Sequence, residues 1–273
     1  MAHNENPIGV FDSGVGGLTV VRALRAVLPG ENLVYLGDTA RVPYGSKSAE
    51  TVQRYSLACT QFLLEQRVKL ILVACNTASA QALPALLDVV PVPLIGAVEP
   101  GAKSAHAATK SRHIGVLGTL GTIRSGAYET VLRGLNPDNV VTGQACPLLV
   151  PLAEEGWLNG DIVEAIIARY VGELAARDPL IDTVVLGCTH YPLLLAPMAA
   201  VCERVFQRTV VLVDSSTAMA ALALEQLIMT VGMRKFDGRP GDLRCFVTDA
   251  TRLDDLGTRF LGEPLSTVNV VDL

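Results

Sequence analysis

Charge is scarce in this chain: 18% of its 273 residues are Asp, Glu, Lys or Arg against 50% apolar, and the formal net charge is −5 at pH 7. That balance fits parallel strands covered by helices on both faces better than a sheet with one face in water. Clusters of Lys and Arg are absent. Arg234-Lys235 and Arg239 form only a small basic patch of the kind a solvated loop carries, so nucleic acid is not an expected partner. No apolar run is long enough to cross a bilayer: Val68–Cys75 is short and holds Lys69, and the Ala-rich stretch Thr217–Met233 is interrupted by Glu225 and Gln226. Met1–Pro7 lacks the basic region and apolar core of a secretory signal, so the expected compartment is the cytoplasm, with no membrane partner. Six cysteines (Cys59, Cys75, Cys146, Cys188, Cys202 and Cys245) are too sparse in a chain this long for a disulfide scaffold, and free thiols are expected.

Cofactor and metal signatures are missing as well. Gly14-x-Gly16-Gly17 lacks the third spaced glycine of a dinucleotide fingerprint, because Thr19 stands there. Cys188-x-His190 with Cys75 and Asp12 could be imagined around zinc, but no Cys-x-x-Cys pair supports it. Lys47, Lys69, Lys103, Lys110 and Lys235 show no pyridoxal-phosphate setting. No cofactor and no metal is expected, and His3, His106 and His113 are expected at the surface.

What the chain does have is a matched pair of thiols. Cys75 ends the apolar run Ile71-Leu72-Val73-Ala74 and is followed by Asn76-Thr77; Cys188 ends Val184-Val185-Leu186-Gly187 and is followed by Thr189-His190. A side chain at the C-terminal end of a parallel strand sits at the sheet edge where ligands bind, among loop amides and helix N-termini. The cysteines lie 113 residues apart, and the strand-and-turn stretch Ile8–Gly14 has a counterpart 106 residues later in Ile114–Gly121. Asn32–Leu36 is echoed in Asn139–Val141, an offset of 107 residues.

A period this long implies two lobes of like topology, each carrying one cysteine at the end of a strand, with the site between them. The expected fold class is α/β, two similar lobes with largely parallel sheets related by internal pseudo-symmetry. Residues 1–97 form the first lobe and 98–211 the second, Glu99-Pro100-Gly101 marking the crossing. The tail, about 212–273, either completes the first lobe or stands alone, and completion is the assignment adopted. Hydrophobic spacing predicts helices over Gly17–Val27, Glu50–Glu65, Ile162–Ala175 and Leu193–Val205. In the tail, Asp214-Ser215-Ser216-Thr217 reads as a cap on a helix running to about Val231, with strands at Leu243–Thr248 and Thr267–Val271.

With Asp12-Ser13-Gly14-Val15-Gly16-Gly17, Pro43-Tyr44-Gly45, Cys75-Asn76-Thr77 and Gly187-Cys188-Thr189-His190-Tyr191-Pro192 in order, the chain resembles the bacterial glutamate racemases. These belong to the cofactor-independent aspartate/glutamate racemase superfamily, and the likeness runs from residue 8 to about 216. The resemblance implies interconversion of L- and D-glutamate at a site between two lobes, supply of D-glutamate for peptidoglycan, and a homodimer. It matches Cys75 and Cys188 to two catalytic thiols, with Asp12 and His190 as their polar partners. An acidic neighbour of the second thiol falls at Glu154 or the adjacent Glu155, with Glu154 favoured. Substrate contacts are implied at Ser13, Pro43, Tyr44, Gly45, Asn76, Thr77 and Thr189, and Cys75 is set against D-glutamate, Cys188 against L-glutamate.

These residue types suit the chemistry. Inverting a stereocentre by proton transfer needs a base on one face of the carbon and an acid on the other, and a thiolate paired with a thiol exchanges those roles when the direction reverses. A free cysteine titrates near ~8.5, so a neighbour must favour the thiolate or take its proton. Asp12 beside Cys75 and His190 beside Cys188 are the candidates, Glu154 orienting His190. Amides of Ser13-Gly14 and Cys75-Asn76-Thr77, and hydroxyls of Thr77, Thr119, Thr122 and Thr189, would bind the carboxylates. Cys59, Cys146, Cys202 and Cys245 read as packing or incidentally exposed residues. The rivals are a sister racemase acting on aspartate, a hydantoin or a related acid, a two-lobed binding protein without turnover, and a zinc hydrolase.

Overall fold

A computed structural model describes residues 2–273; the side chains of the first three residues, including the surface placement expected of His3, lie outside the described residues. The chain folds into two α/β lobes, each around a parallel sheet. The strands are β1 (Ile8–Asp12), β2 (Leu33–Gly37), β3 (Leu70–Val73), β4 (Leu94–Gly96), β5 (His113–Gly118), β6 (Val140–Ala145), β7 (Thr183–Gly187), β8 (Val211–Asp214), β9 (Leu243–Val247) and β10 (Val268–Val270). One sheet has six strands in the order β10-β9-β2-β1-β3-β4, the other four in the order β6-β5-β7-β8, and every pairing is parallel. The sequence repeat is visible here as a repeated strand order: β2-β1-β3-β4 in one lobe is β6-β5-β7-β8 in the other.

The helices are α1 (Leu18–Val27), α2 (Ala49–Glu65), α3 (Asn76–Leu87), α4 (Val98–Ala108), α5 (Leu120–Arg124), α6 (Ala127–Leu135), α7 (Leu149–Glu154), α8 (Asp161–Arg177), α9 (Leu195–Phe206), α10 (Ser215–Gln226) and α11 (Leu253–Leu261). Helices α1, α10 and α11 cover one face of the six-stranded sheet, and α2 and α3 the other. Around the second sheet, α7, α8 and α9 pack on one face and α4 and α6 on the other. Sandwiching explains the uninterrupted apolar runs: every residue of β1, β2, β3 and β7 is buried.

Two of the differences from the predicted helix boundaries have a visible cause. The helix expected from Leu193 begins at Leu195, because Tyr191–Leu194, carrying Pro192, first winds as a 3-10 turn. The helix expected to reach Val231 ends at Gln226, and Leu227–Val231 continues as a π turn closed by Gly232 at φ +91°. The tail strands β9 and β10 pair into the first sheet, β9 directly against β2, whereas β8 belongs to the second sheet through to Asp214.

At the edge opposite the strand C-termini, Lys69 and Glu31 form an ion pair of 2.7 Å with both side chains 2% exposed. Lys69 Nζ also donates to the Asn4 carbonyl at 2.7 Å, and the Arg234 amide donates to Glu31 Oε1 at 2.7 Å. Arg234 is therefore half-buried and anchored, its guanidinium donating to the Gly30 carbonyl and to Glu5, while Lys235 and Arg239 are exposed as expected of a loop. His113 and His106 are half-buried rather than on the surface, because each has a nearby polar partner: His113 Nδ1 lies 2.9 Å from Asp178 Oδ2, and His106 Nδ1 lies 3.1 Å from Asn139 Nδ2.

Candidate active site

In a parallel sheet, the crevice for a ligand opens where the connections from neighbouring strands leave in opposite directions. In the first sheet that point lies between β1 and β3, and in the second between β5 and β7. Asp12 ends β1, Cys75 follows β3, Thr119 follows β5 and Cys188 follows β7. The two crevices contribute to one cavity of about 370 Å³, whose wall includes Ser13, Pro43, Tyr44, Gly45, Cys75, Asn76, Thr77, Thr119, Glu154, Cys188, Thr189 and His190. Its volume is that of a small-molecule site. Asp12 and Thr122, which sequence reasoning also assigned to the substrate, stand just behind this wall. Asp12 Oδ1 accepts from the Thr189 hydroxyl at 3.4 Å, and Thr122 Oγ1 lies 3.0 Å from Thr119 Oγ1 and 3.2 Å from Thr77 Oγ1. Val42, Ser46, Leu120, Cys146, Pro147, Val150 and Pro151 also reach the wall.

Each thiol has its own surroundings. Cys75 caps α3, its sulfur accepting from the Ala78 amide at 3.5 Å and donating to Ser13 Oγ at 3.4 Å. Burial, with the nearby Asp12 charge adding, pushes the Cys75 thiol up to about 12. Cys188 Sγ lies 3.9 Å from His190 Nδ1, and His190 Nε2 lies 2.9 Å from Glu154 Oε1. Burial favours the neutral imidazole, but these two partners outweigh it and hold His190 as a cation, its pKa raised to about 10. Burial likewise opposes ionisation of Glu154; the His190 hydrogen bond and charge, with Arg252 behind, more than offset it and bring that carboxyl below its ordinary value. Asp12 shifts the other way: burial raises it, against the pull of His190, the Gly14 and Gly17 amides and Thr189.

Several expected contacts have their polar atoms already engaged. The Gly14 amide donates to Asp12 Oδ2 at 2.9 Å, and Ser13-Gly14 precede α1 by several residues, so that amide is already engaged and is not at a helix start, against the carboxylate-binding role expected of it. The Tyr44 hydroxyl donates to the buried Asp38 carboxylate, and Asn76 accepts from Tyr128 at 2.7 Å and donates to Ser215 Oγ at 3.3 Å. Glu154, at the end of α7, reaches His190, whereas Glu155 turns outward to Arg252. Cys146 is fully buried in the core of the second lobe, in line with its reading as a packing residue, and it also borders the cavity. All six cysteines are unbonded, and among the described residues no group of three His, Cys, Asp or Glu side chains is arranged to hold a metal ion.

Gly16 fits closely under this apparatus. A Cβ there would land on the Thr189 hydroxyl and 2.5 Å from His190 Nδ1. Gly16→Ala is therefore expected to displace the Glu154–His190–Cys188 line and lower kcat/KM about a hundredfold with the fold retained. Steady-state kinetics beside a circular dichroism melt checks this.

The chain matches the Asp/Glu/Hydantoin racemase family over residues 18–223 and belongs to that family; it is an isomerase of the racemase type. Among curated relatives, the glutamate racemase of Geobacter metallireducens is 46% identical over 271 residues, covering 97% of this chain and 96% of its own. Among solved structures, glutamate racemase from Francisella tularensis in complex with D-glutamate superposes with a TM-score of 0.90 at 33% identity, covering 98% of both chains. The Thermus thermophilus glutamate racemase in complex with beta-chloro-D-alanine gives 0.87 at 41% identity, covering 99% of this chain and 98% of that one.

Proposed function

We propose that this protein interconverts L- and D-glutamate without a cofactor, by proton transfer at Cα between Cys75 and Cys188, and that it supplies D-glutamate for peptidoglycan in the cytoplasm, working as a homodimer. The observation that carries this reading is the pair of strand-end thiols, one from each lobe, on the wall of a single cavity. The glutamate racemases among its relatives support the choice of substrate.

In the L-to-D direction the Cys188 thiolate takes the Cα hydrogen, becoming a thiol and leaving a carbanion stabilised by the adjacent carboxylate. The Cys75 thiol, kept protonated by its burial, gives its proton to the opposite face and becomes the thiolate. The reverse direction exchanges the two roles. His190, charged and oriented by Glu154, sets a cation against the Cys188 sulfur, and Asp12 stands behind Thr189, whose hydroxyl lies 3.4 Å from the same ring nitrogen, Nδ1. The Thr77–Thr119 pair, 2.8 Å apart and contributed by different lobes, offers hydroxyls to a carboxylate, and the N-terminus of α3 lies at Cys75.

In heavy water, each enantiomer of glutamate is expected to be racemised and to gain deuterium at Cα. Aspartate or a hydantoin racemised while glutamate is untouched would select the sister activity. Glutamate binding by calorimetry without any change of optical rotation would select a binding protein.

A further inference from the structure

The tail returns to the first lobe, but one of its helices reaches the catalytic apparatus of the second. The inner face of α11, with Leu253, Leu256, Phe260 and Leu261, is buried in the core of the first lobe beside α1. Two arginines of this segment cross to the end of α7. Arg259 Nη1 donates to the Glu154 carbonyl, Arg252 Nη2 lies 3.5 Å from the same oxygen, and Arg252 Nη1 pairs with Glu155 Oε1 at 2.6 Å. On the other side of the acid, the Phe260 ring meets the His190 imidazole edge-on, centroids 4.8 Å apart at 72°.

We propose that Arg259 and Phe260 are positioning residues for the Glu154–His190 pair, and through it for the Cys188 half of the reaction.

The physical reason begins with α7. A helix of six residues leaves its last carbonyls without intrahelical partners, and a cation at that end both offsets their partial negative charge and, by donating to them, fixes them in place. Gly156, at φ +74°, makes room for the contact: a Cβ there would come within 2.9 Å of Arg259 Nη2. Glu154 is then held by its main chain through Arg259 and by its side chain through His190, and the imidazole has Phe260 across its edge. Both partners of the Arg252–Glu155 pair are about half exposed, so that pair contributes little and Arg259 carries most of the effect. Arg252 nonetheless holds a left-handed backbone, φ +62°, at the start of α11, a conformation that persists only where the surroundings impose it.

This inference rests on the proposed two-thiol racemisation, so wild-type turnover of glutamate is measured first; its absence would overturn that reading and not this one. Because the equilibrium constant between enantiomers is unity, kcat/KM is bound to be equal in both directions, and the asymmetry is sought in primary deuterium isotope effects on Cα-deuterated L- and D-glutamate. In the full chain, Arg259→Gln is expected to lower kcat about ten- to a hundredfold with little change in KM. It should raise the isotope effect for the enantiomer whose hydrogen Cys188 removes and lower it for the other, because slower reprotonation by Cys188 makes abstraction by Cys75 less rate-limiting, and Arg259→Lys should recover most of the loss. Phe260→Leu, which keeps an apolar side chain in the core, should show the same asymmetry and serves if Arg259→Gln fails to fold. A readout independent of turnover is the His190 Nε2 proton, observed by nitrogen-15 NMR and expected to exchange faster with water in Arg259→Gln. Isotope effects that change equally for both enantiomers, or an unaltered kcat and imidazole signal in a folded variant, would overturn the proposal.

Discussion

Serine in place of Cys75, or in place of Cys188, is expected to lower the rate of complete racemisation of glutamate by about a hundred- to ten-thousandfold, the range a positioned acid or base contributes. A hydroxyl gives up its proton far less readily than a thiol, so either variant keeps one competent group and loses the other face of the reaction. The fold should survive both changes, because oxygen is smaller than sulfur and can still engage the partners already present. At Cys75 those are Ser13 Oγ and the Ala78 amide, and at Cys188 they include His190. Polarimetry and thermal melts on the two variants check both halves of this expectation. A single damaging substitution paired with a silent one would leave one catalytic thiol and end the two-thiol account.

The largest expected effect on stability lies far from the cavity. Lys69→Ala would leave Glu31 as a buried carboxylate, and removing one partner of such a pair costs about 3–5 kcal/mol. Glu31 accepts from the Arg234 amide and Lys69 donates to the Asn4 carbonyl, so the loss also loosens the N-terminal segment and the loop after α10. Replacing both members with apolar residues, Lys69→Met with Glu31→Leu, should return most of that stability, because no uncompensated charge remains. Urea unfolding of the single and double variants, compared at equal slope, measures the difference.

Much of this architecture is written locally. A strand buried on both faces has to be apolar at every position, which is why β1, β3 and β7 stand out, and a thiol after such a strand is placed by topology at the ligand edge. Lys69 was equally visible in the sequence, but only as an interruption of an apolar run. Its partner Glu31 is supplied by a different loop, and no spacing rule connects them. The same limit applies at the site. Asp214 caps α10 as expected, accepting from the Ser216 amide at 2.9 Å and the Thr217 amide at 3.4 Å. The sequence could not show that the two serines after it point inward. Ser215 accepts from Asn76 and donates to the Leu186 carbonyl, and Ser216 Oγ lies 3.0 Å from Thr19 Oγ1, so a helix cap is also a seam between the lobes. Tyr128, Asp38, Arg259 and Phe260 act through partners contributed by other elements and carry no motif of their own. The choice between Glu154 and Glu155 depended on how α7 is rotated, which a six-residue helix does not reveal by periodicity.

The insertion of β9 against β2 has a consequence for the order in which the protein matures on the ribosome. Strands β5 to β8 are contiguous in the chain, so the second sheet holds all its members once residue 214 has emerged. Until Leu243–Val247 emerges, β2 has β1 on one side and an open hydrogen-bonding edge on the other, the kind of edge that recruits strands from other chains. Nascent chains arrested before that point would carry the first cysteine on an unfinished sheet, and the emergence of Leu243–Val247 decides whether that sheet closes or aggregates.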